Sequence, residues 1–162
     1  MVFALARHPV SWYRSYWSFK TETGWRIRFP FDRQFAYDDF PSFASAVMRE
    51  HPGWLSKMLH RYTTTESGDA VDCIGKLETV ADDFVRFLRL AGEDFDETAI
   101  RETPPQNVTE NASRWRERTL LDAPLIAAIE EAERPIMERF GYASFSDACR
   151  PVSPDAPLAA VC

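Results

Sequence analysis

The sequence predicts an α/β fold, a parallel sheet with abundant helices, because its elements run strand, helix, helices, strand, helix. Three observations carry this reading. Val2 to Ala6 (VFALA) is a short apolar run closed by Arg7-His8-Pro9, which suits a buried strand of a parallel sheet. Ala70 to Leu77 (AVDCIGKL) is a second strand, with Val71, Cys73 and Ile74 as its apolar content and Gly75 interrupting it. Long stretches after each strand repeat apolar residues at helical spacing. With 162 residues, 45% hydrophobic and 27% charged, the chain has the size and balance of one globular domain, and 14% aromatics excludes disorder throughout. The domain is placed at residues 1–146; residues 147–162, with Pro151, Pro154 and Pro157, read as an extended or disordered tail.

Pro9 fits the first position of a helix running to about Lys20, with Trp12, Tyr13, Tyr16, Trp17 and Phe19 on its apolar face. Thr21 to Phe40 has no sustained period and reads as a long irregular excursion. Pro41 opens a short helix with Phe43, Ala44, Val47 and Met48 inward, and Trp54, Leu55, Met58, Leu59 and Tyr62 mark the next. Thr63 to Asp69 is a turn-rich break. Thr79 with Asp82 has the form of a capping box for a helix over 80–91, closed by Gly92, and a shorter helix covers 97–101. Thr103 to Ser113 is a polar loop; helical patterning resumes at 114–121 and 122–140, where Pro135 is expected to kink or split the helix.

Net charge is −6, which argues against broad, sequence-independent nucleic-acid binding. Residues 1–34 nevertheless hold six basic against two acidic residues, a balance of +4, while 35–162 carry −10, so an anion site is expected near the N-terminus. The three cysteines, odd in number and without a CxxC pair, indicate neither a disulfide framework nor structural zinc. The three histidines show no metal-ligand pattern, and no metal is expected. The longest apolar run has six residues, far short of the ~18 of a membrane span, and no basic flank precedes it as in an export signal. A cytoplasmic location is the expectation.

Arg7 to Trp17 (RHPVSWYRSYW) spans the predicted strand-to-helix junction. A helix start offers unpartnered N–H groups and a positive dipole end to phosphate, Arg7 can add a charge-assisted bond, and Ser11 and Ser15 share one face. On this ground alone the favoured reading is that Arg7 caps or salt-bridges and Ser15 fills a small slot.

The same segment resembles the sulfotransferases that use 3′-phosphoadenosine 5′-phosphosulfate (PAPS), whose signature Arg-x-Pro-x-x-Arg-x-x-Ser follows a sheet strand. Arg7, Pro9 and Ser15 match it, and Trp12 occupies the middle Arg position. Phe40-Pro41-Ser42-Phe43, His51-Pro52-Gly53, Ile74-Gly75-Lys76-Leu77-Glu78, Pro104 to Val108 and Phe140-Gly141-Tyr142 resemble further family segments, so the likeness covers about residues 2–145. It implies a P-loop-NTPase-like three-layer fold and PAPS or its product PAP as co-substrate. It also implies that Arg7 and Ser15 hold the donor's 3′-phosphate, with Pro9 and Ser11 at the helix start. Leu77 stands where several relatives place an aromatic against the nucleotide.

In that family a glycine-rich loop with a Lys holds the 5′-phosphosulfate. The six glycines here are scattered and none precedes a Lys-Ser or Lys-Thr pair at the required spacing, so the chain resembles the C-terminal portion of such an enzyme, truncated at the N-terminus. The implied reaction is sulfuryl transfer to a hydroxyl or amine acceptor, with the general base unassigned; His8 and Glu78 are expected to be structural. The alternative is a non-catalytic remnant that keeps the fold and 3′-phosphonucleotide binding. Arg114 and Arg118 either cover the nucleotide or form a solvated helix face, and Trp25, Arg26, Arg28 and Phe29 either form an acceptor-facing lid or complete the core.

Overall fold

Two parallel strands, β1 (Phe3–Ala6) and β4 (Cys73–Lys76), pair in the register Phe3 with Cys73 through Ala6 with Lys76. A computed structural model of the chain describes residues 1–65, 68–104 and 118–145. Between the strands run α1 (Pro9–Thr23), α2 (Pro30–Gln34), α3 (Phe40–Glu50), α4 (Trp54–Thr63) and the small antiparallel pair β2 (Thr64–Thr65) and β3 (Gly68–Asp69). After β4 come α5 (Val80–Ala91), α6 (Glu97–Glu102), α7 (Ala123–Ala132) and α8 (Arg134–Phe140). The expected mixed α/β class and parallel pairing are therefore present. The sheet is small: among the described residues it has two strands, so Leu5 stays 40% exposed where a strand buried on both faces was expected.

Helix boundaries follow local chemistry. Asp39 caps α3 through the Ser42 N–H, and Pro41 sits in its first turn. Gly92 closes α5 in the left-handed region at φ 72°. α7 and α8 part at Glu133, two residues before the expected breaker Pro135. The capping box is not formed: the Thr79 hydroxyl donates to Asp83 instead, while Asp82 pairs with Arg101. α1 outruns its predicted end by three residues, and Phe19 points outward at 53% exposure while Lys20 is buried. Cys73 is held in a disulfide, which the cysteine pattern did not indicate.

The core is aromatic. Tyr13 and Trp17 of α1, Phe40 and Phe43 of α3, Phe35, Ile129 and Phe140 are fully buried against one another. Phe31 stacks on Trp54 with ring centroids 4.1 Å apart, and Trp25 packs on Phe43. On the far side of the sheet, Phe3 stacks on Phe87 of α5. That contact explains Gly75, since a Cβ there would lie 2.8 Å from the Phe3 ring and 2.7 Å from Asp83 Cβ.

Glu133 is wholly buried and accepts from four donors: the Tyr13 hydroxyl at 2.6 Å, the N–H groups of Leu55 and Ser56, and the Ser56 hydroxyl. It thereby satisfies the first turn of α4 from another helix junction. Replacing it strands four donors, those of Tyr13 and Leu55 buried and the two of Ser56 partly so. Glu133→Ala is expected to cost about 3–5 kcal/mol of stability in urea unfolding; a loss below ~1 kcal/mol would show that the four bonds contribute little net stability.

Candidate functional site

At the carboxyl end of β1 a cavity of about 510 Å³ opens between α1 and α4. Its walls are two matching helical stripes, Trp12, Ser15, Tyr16 and Phe19 from α1 and Leu55, Met58, Leu59 and Tyr62 from α4, each spaced i, i+3, i+4, i+7. Ala4, Leu5 and Ala6 of β1 form the floor, and Arg7 and Leu77 stand where the two strands end. Ligands of open α/β sheets collect at this edge.

Arg7 is half-buried, and its guanidinium donates to no group among the described residues. Burial pushes its pKa down, against the upward pull of the nearby Glu78 and Tyr142. The Ser15 hydroxyl, exposed on the α1 wall, likewise has no hydrogen-bond partner among the described residues. The structure thus brings Arg7 and Ser15 to one cavity, each with hydrogen-bonding capacity to spare.

The helix start between them is already occupied. Pro9 has no N–H and is buried, the Val10 N–H donates to His8 Nδ1, and the Trp12 N–H donates to the His8 carbonyl. Of the first turn, Ser11 alone keeps an N–H free of these bonds, and Ser11 is not on the cavity wall. Pro9 and Ser11 therefore shape α1 without facing the space that Arg7 and Ser15 share.

His8 is an N-cap. Its Nε2 lies 3.2 Å from the Ala143 carbonyl, which can only accept, so Nε2 carries the proton and Nδ1 accepts from Val10. Burial holds its pKa below the ordinary histidine value, against the opposing pull of the Ala143 carbonyl, Glu130 and Glu78. Glu78 ties the same junction together, accepting from the His8 N–H at 2.8 Å and the Tyr142 hydroxyl at 3.1 Å. Both residues are built into the β1–α1 turn.

The remaining candidates lie elsewhere. Arg118 stacks over Trp17, and Trp17 is two residues, about 200° of helix, from Ser15, on the opposite face of α1. Arg114 lies outside the described residues, as do 105–113 and the tail at 147–162. Trp25 packs on Tyr16 and Phe43 in the core, while Arg26, Arg28 and Phe29 are exposed, and none of the four lines the cavity. The α4 stripe was legible as a helical face but not as a cavity wall, because core and cavity faces share one period.

The arrangement can hold an anion at Arg7 and Ser15 against an apolar, partly aromatic body. Tyr16, the wall phenol nearest the core, donates to Asp32, and burial together with that carboxylate pushes its pKa up, so it is no base at neutral pH. Among the described residues no three His, Cys, Asp or Glu side chains gather to hold a metal, and no helix is long and apolar enough to cross a membrane.

His8 supplies a pH test. Its pKa is lower folded than unfolded, so below about pH 6.5 the unfolded chain takes up a proton that the folded chain resists, and stability falls with pH. His8→Asn keeps a capping side chain without the titration. The urea midpoint of the wild type should drop more steeply between about pH 7 and pH 5 than that of His8→Asn; parallel curves would remove His8 as a source of acid sensitivity.

No protein family, curated protein or solved structure matches this chain.

Proposed function

We propose that the cavity binds a 3′-phosphorylated adenine nucleotide of the PAPS/PAP type, with the 3′-phosphate on Arg7 and Ser15, and that the chain is a sulfotransferase-type protein. The observation that carries this reading is that a half-buried guanidinium and a hydroxyl, neither hydrogen-bonded among the described residues, line one cavity at the carboxyl end of a parallel strand. These are the two residues that the signature assigns to the phosphate. Trp12 and Leu77 line the same space and offer flat and apolar surface to a base or ribose.

The second reading, nucleotide binding without transfer, is favoured by one specific feature. The described cavity wall carries no His, Asp, Glu, Cys or Lys to serve as general base, and the Tyr16 hydroxyl is committed to Asp32. These 162 residues also contain no glycine-rich loop with a Lys to stabilise charge at the leaving phosphate.

Calorimetric titration with adenosine 3′,5′-bisphosphate tests the binding site. Arg7→Ala should weaken binding about ten- to a hundredfold and Ser15→Ala about three- to tenfold, following the strengths of charge-assisted and neutral hydrogen bonds. Equal affinities for wild type and Arg7→Ala would overturn the assignment. Transfer is tested separately with ³⁵S-PAPS and a panel of hydroxyl and amine acceptors. Absent preorganised donors at the leaving group cost ~10²–10³ in rate each, so the 162 residues alone should label no acceptor. Turnover by them would place the phosphosulfate on other groups of this chain and discard the binding-only reading.

A further inference from the structure

A projecting turn follows α1. The Phe29 N–H donates to the Arg26 carbonyl at 2.8 Å, which makes Ile27 and Arg28 the corner residues of a tight turn. Ile27 is 71% exposed and Phe29 45%, and Arg26 and Arg28 are exposed beside them. Arg28 lies over the Phe29 ring at 5.1 Å. Arg33, one turn into α2, is exposed as well.

The turn is anchored from below. Asp32, 2% exposed, accepts from the Arg26 N–H at 2.9 Å, from Lys20 Nζ at 2.6 Å and from the Tyr16 hydroxyl. Its carboxyl is held below the usual carboxylate range because the bonds from Lys20, Tyr16 and Arg26 outweigh the opposing effect of burial. Since Lys20 and Asp32 neutralise each other inside, the surface of residues 20–33 presents three guanidiniums against the single carboxylate of Glu22. That excess stands out on a chain of net charge −6.

We infer that the Arg26–Phe29 turn docks the protein on an anionic phospholipid surface, with Ile27 and Phe29 entering the headgroup region and Arg26, Arg28 and Arg33 on the lipid phosphates. Two exposed apolar side chains among guanidiniums that form no ion pair among the described residues are the composition of a peripheral membrane contact. The size of the patch favours lipid over a protein partner. Stable protein pairs bury ~800 Å² on each side, far more than a four-residue turn presents, whereas a bilayer needs only the tip. The inference does not depend on the nucleotide reading, because none of these residues lines the cavity.

Co-sedimentation of the whole chain with phosphatidylcholine vesicles, with and without phosphatidylglycerol, tests it. Binding is expected to the anionic vesicles alone and to be released at ~1 M salt, where the screening length is ~3 Å. Arg26→Ala with Arg28→Ala should weaken it about 25-fold, about fivefold for each guanidinium. Ile27→Ser with Phe29→Ser should weaken it at least about tenfold. All four positions are exposed, so unchanged thermal unfolding of both variants is the check on folding. Arg61→Ala, an exposed guanidinium on α4, should bind within about twofold of wild type, which separates a local site from general electrostatics. The inference is overturned by failure of the wild type to bind anionic vesicles or by undiminished binding of the Arg26/Arg28 variant. Tighter binding to duplex DNA than to anionic vesicles, lost in that variant, would reassign the turn to nucleic acid.

Discussion

The buried carboxylate of Glu133 holds the helical half of the molecule together. It stands at the break between α7 and α8, yet its bonds go to Tyr13 of α1 and to the first turn of α4. A carboxylate with no exposure is tolerable only when fully hydrogen-bonded, and two backbone N–H groups, two hydroxyls and a helix dipole satisfy that need. Gly53 lets α4 begin there: it takes φ 71°, and a Cβ would stand 3.2 Å from the Ala132 carbonyl. The start of α4 is thus set against the end of α7, and the α4 stripe is aimed at α1.

Asp32 and Asp83 repeat the device at two other joints. Asp32 collects Lys20, Tyr16 and the Arg26 N–H, which fixes the chain where it leaves α1. Asp83 collects the Lys76 N–H at 2.7 Å and the Thr79 hydroxyl, which fixes the turn from β4 into α5. Each carboxylate spans a change of chain direction and accepts from backbone N–H groups that the turn leaves without partners. α1 connects the first two, since Tyr13 and Tyr16, three residues apart, serve Glu133 and Asp32 respectively.

The cavity is a consequence of these joints. α1 gives one face, through Tyr13 and Trp17, to the aromatic core, and another, through Trp12, Ser15, Tyr16 and Phe19, to the open space against α4. The β1–α1 junction, sealed by the His8 cap and Glu78, leaves Arg7 as the charged group at the mouth. Because the helix start largely satisfies itself, an anion at this edge would have to be met by side chains, and Arg7 and Ser15 are the cation and the nearby hydroxyl of α1 that line the cavity.

Several features were legible in the sequence because they depend on local chemistry. The VFALA run, the Pro41 helix start, the Gly92 stop and the split near Pro135 each follow from residues close in the chain, while the parallel pairing was inferred from the order of strands and helices. The position of Arg7 and Ser15 at a strand-to-helix junction was likewise legible, whereas their pairing as a phosphate site came from the family resemblance and not from spacing. Tertiary structure alone decided which apolar stripes fill the core and which wall a cavity, because both show the same 3.6-residue period. It also decided that Lys20 is buried on Asp32 and that Trp25 completes the core while Ile27 and Phe29 stay outside. Each of these outcomes depends on a partner brought close by folding, and local spacing carries no record of that partner.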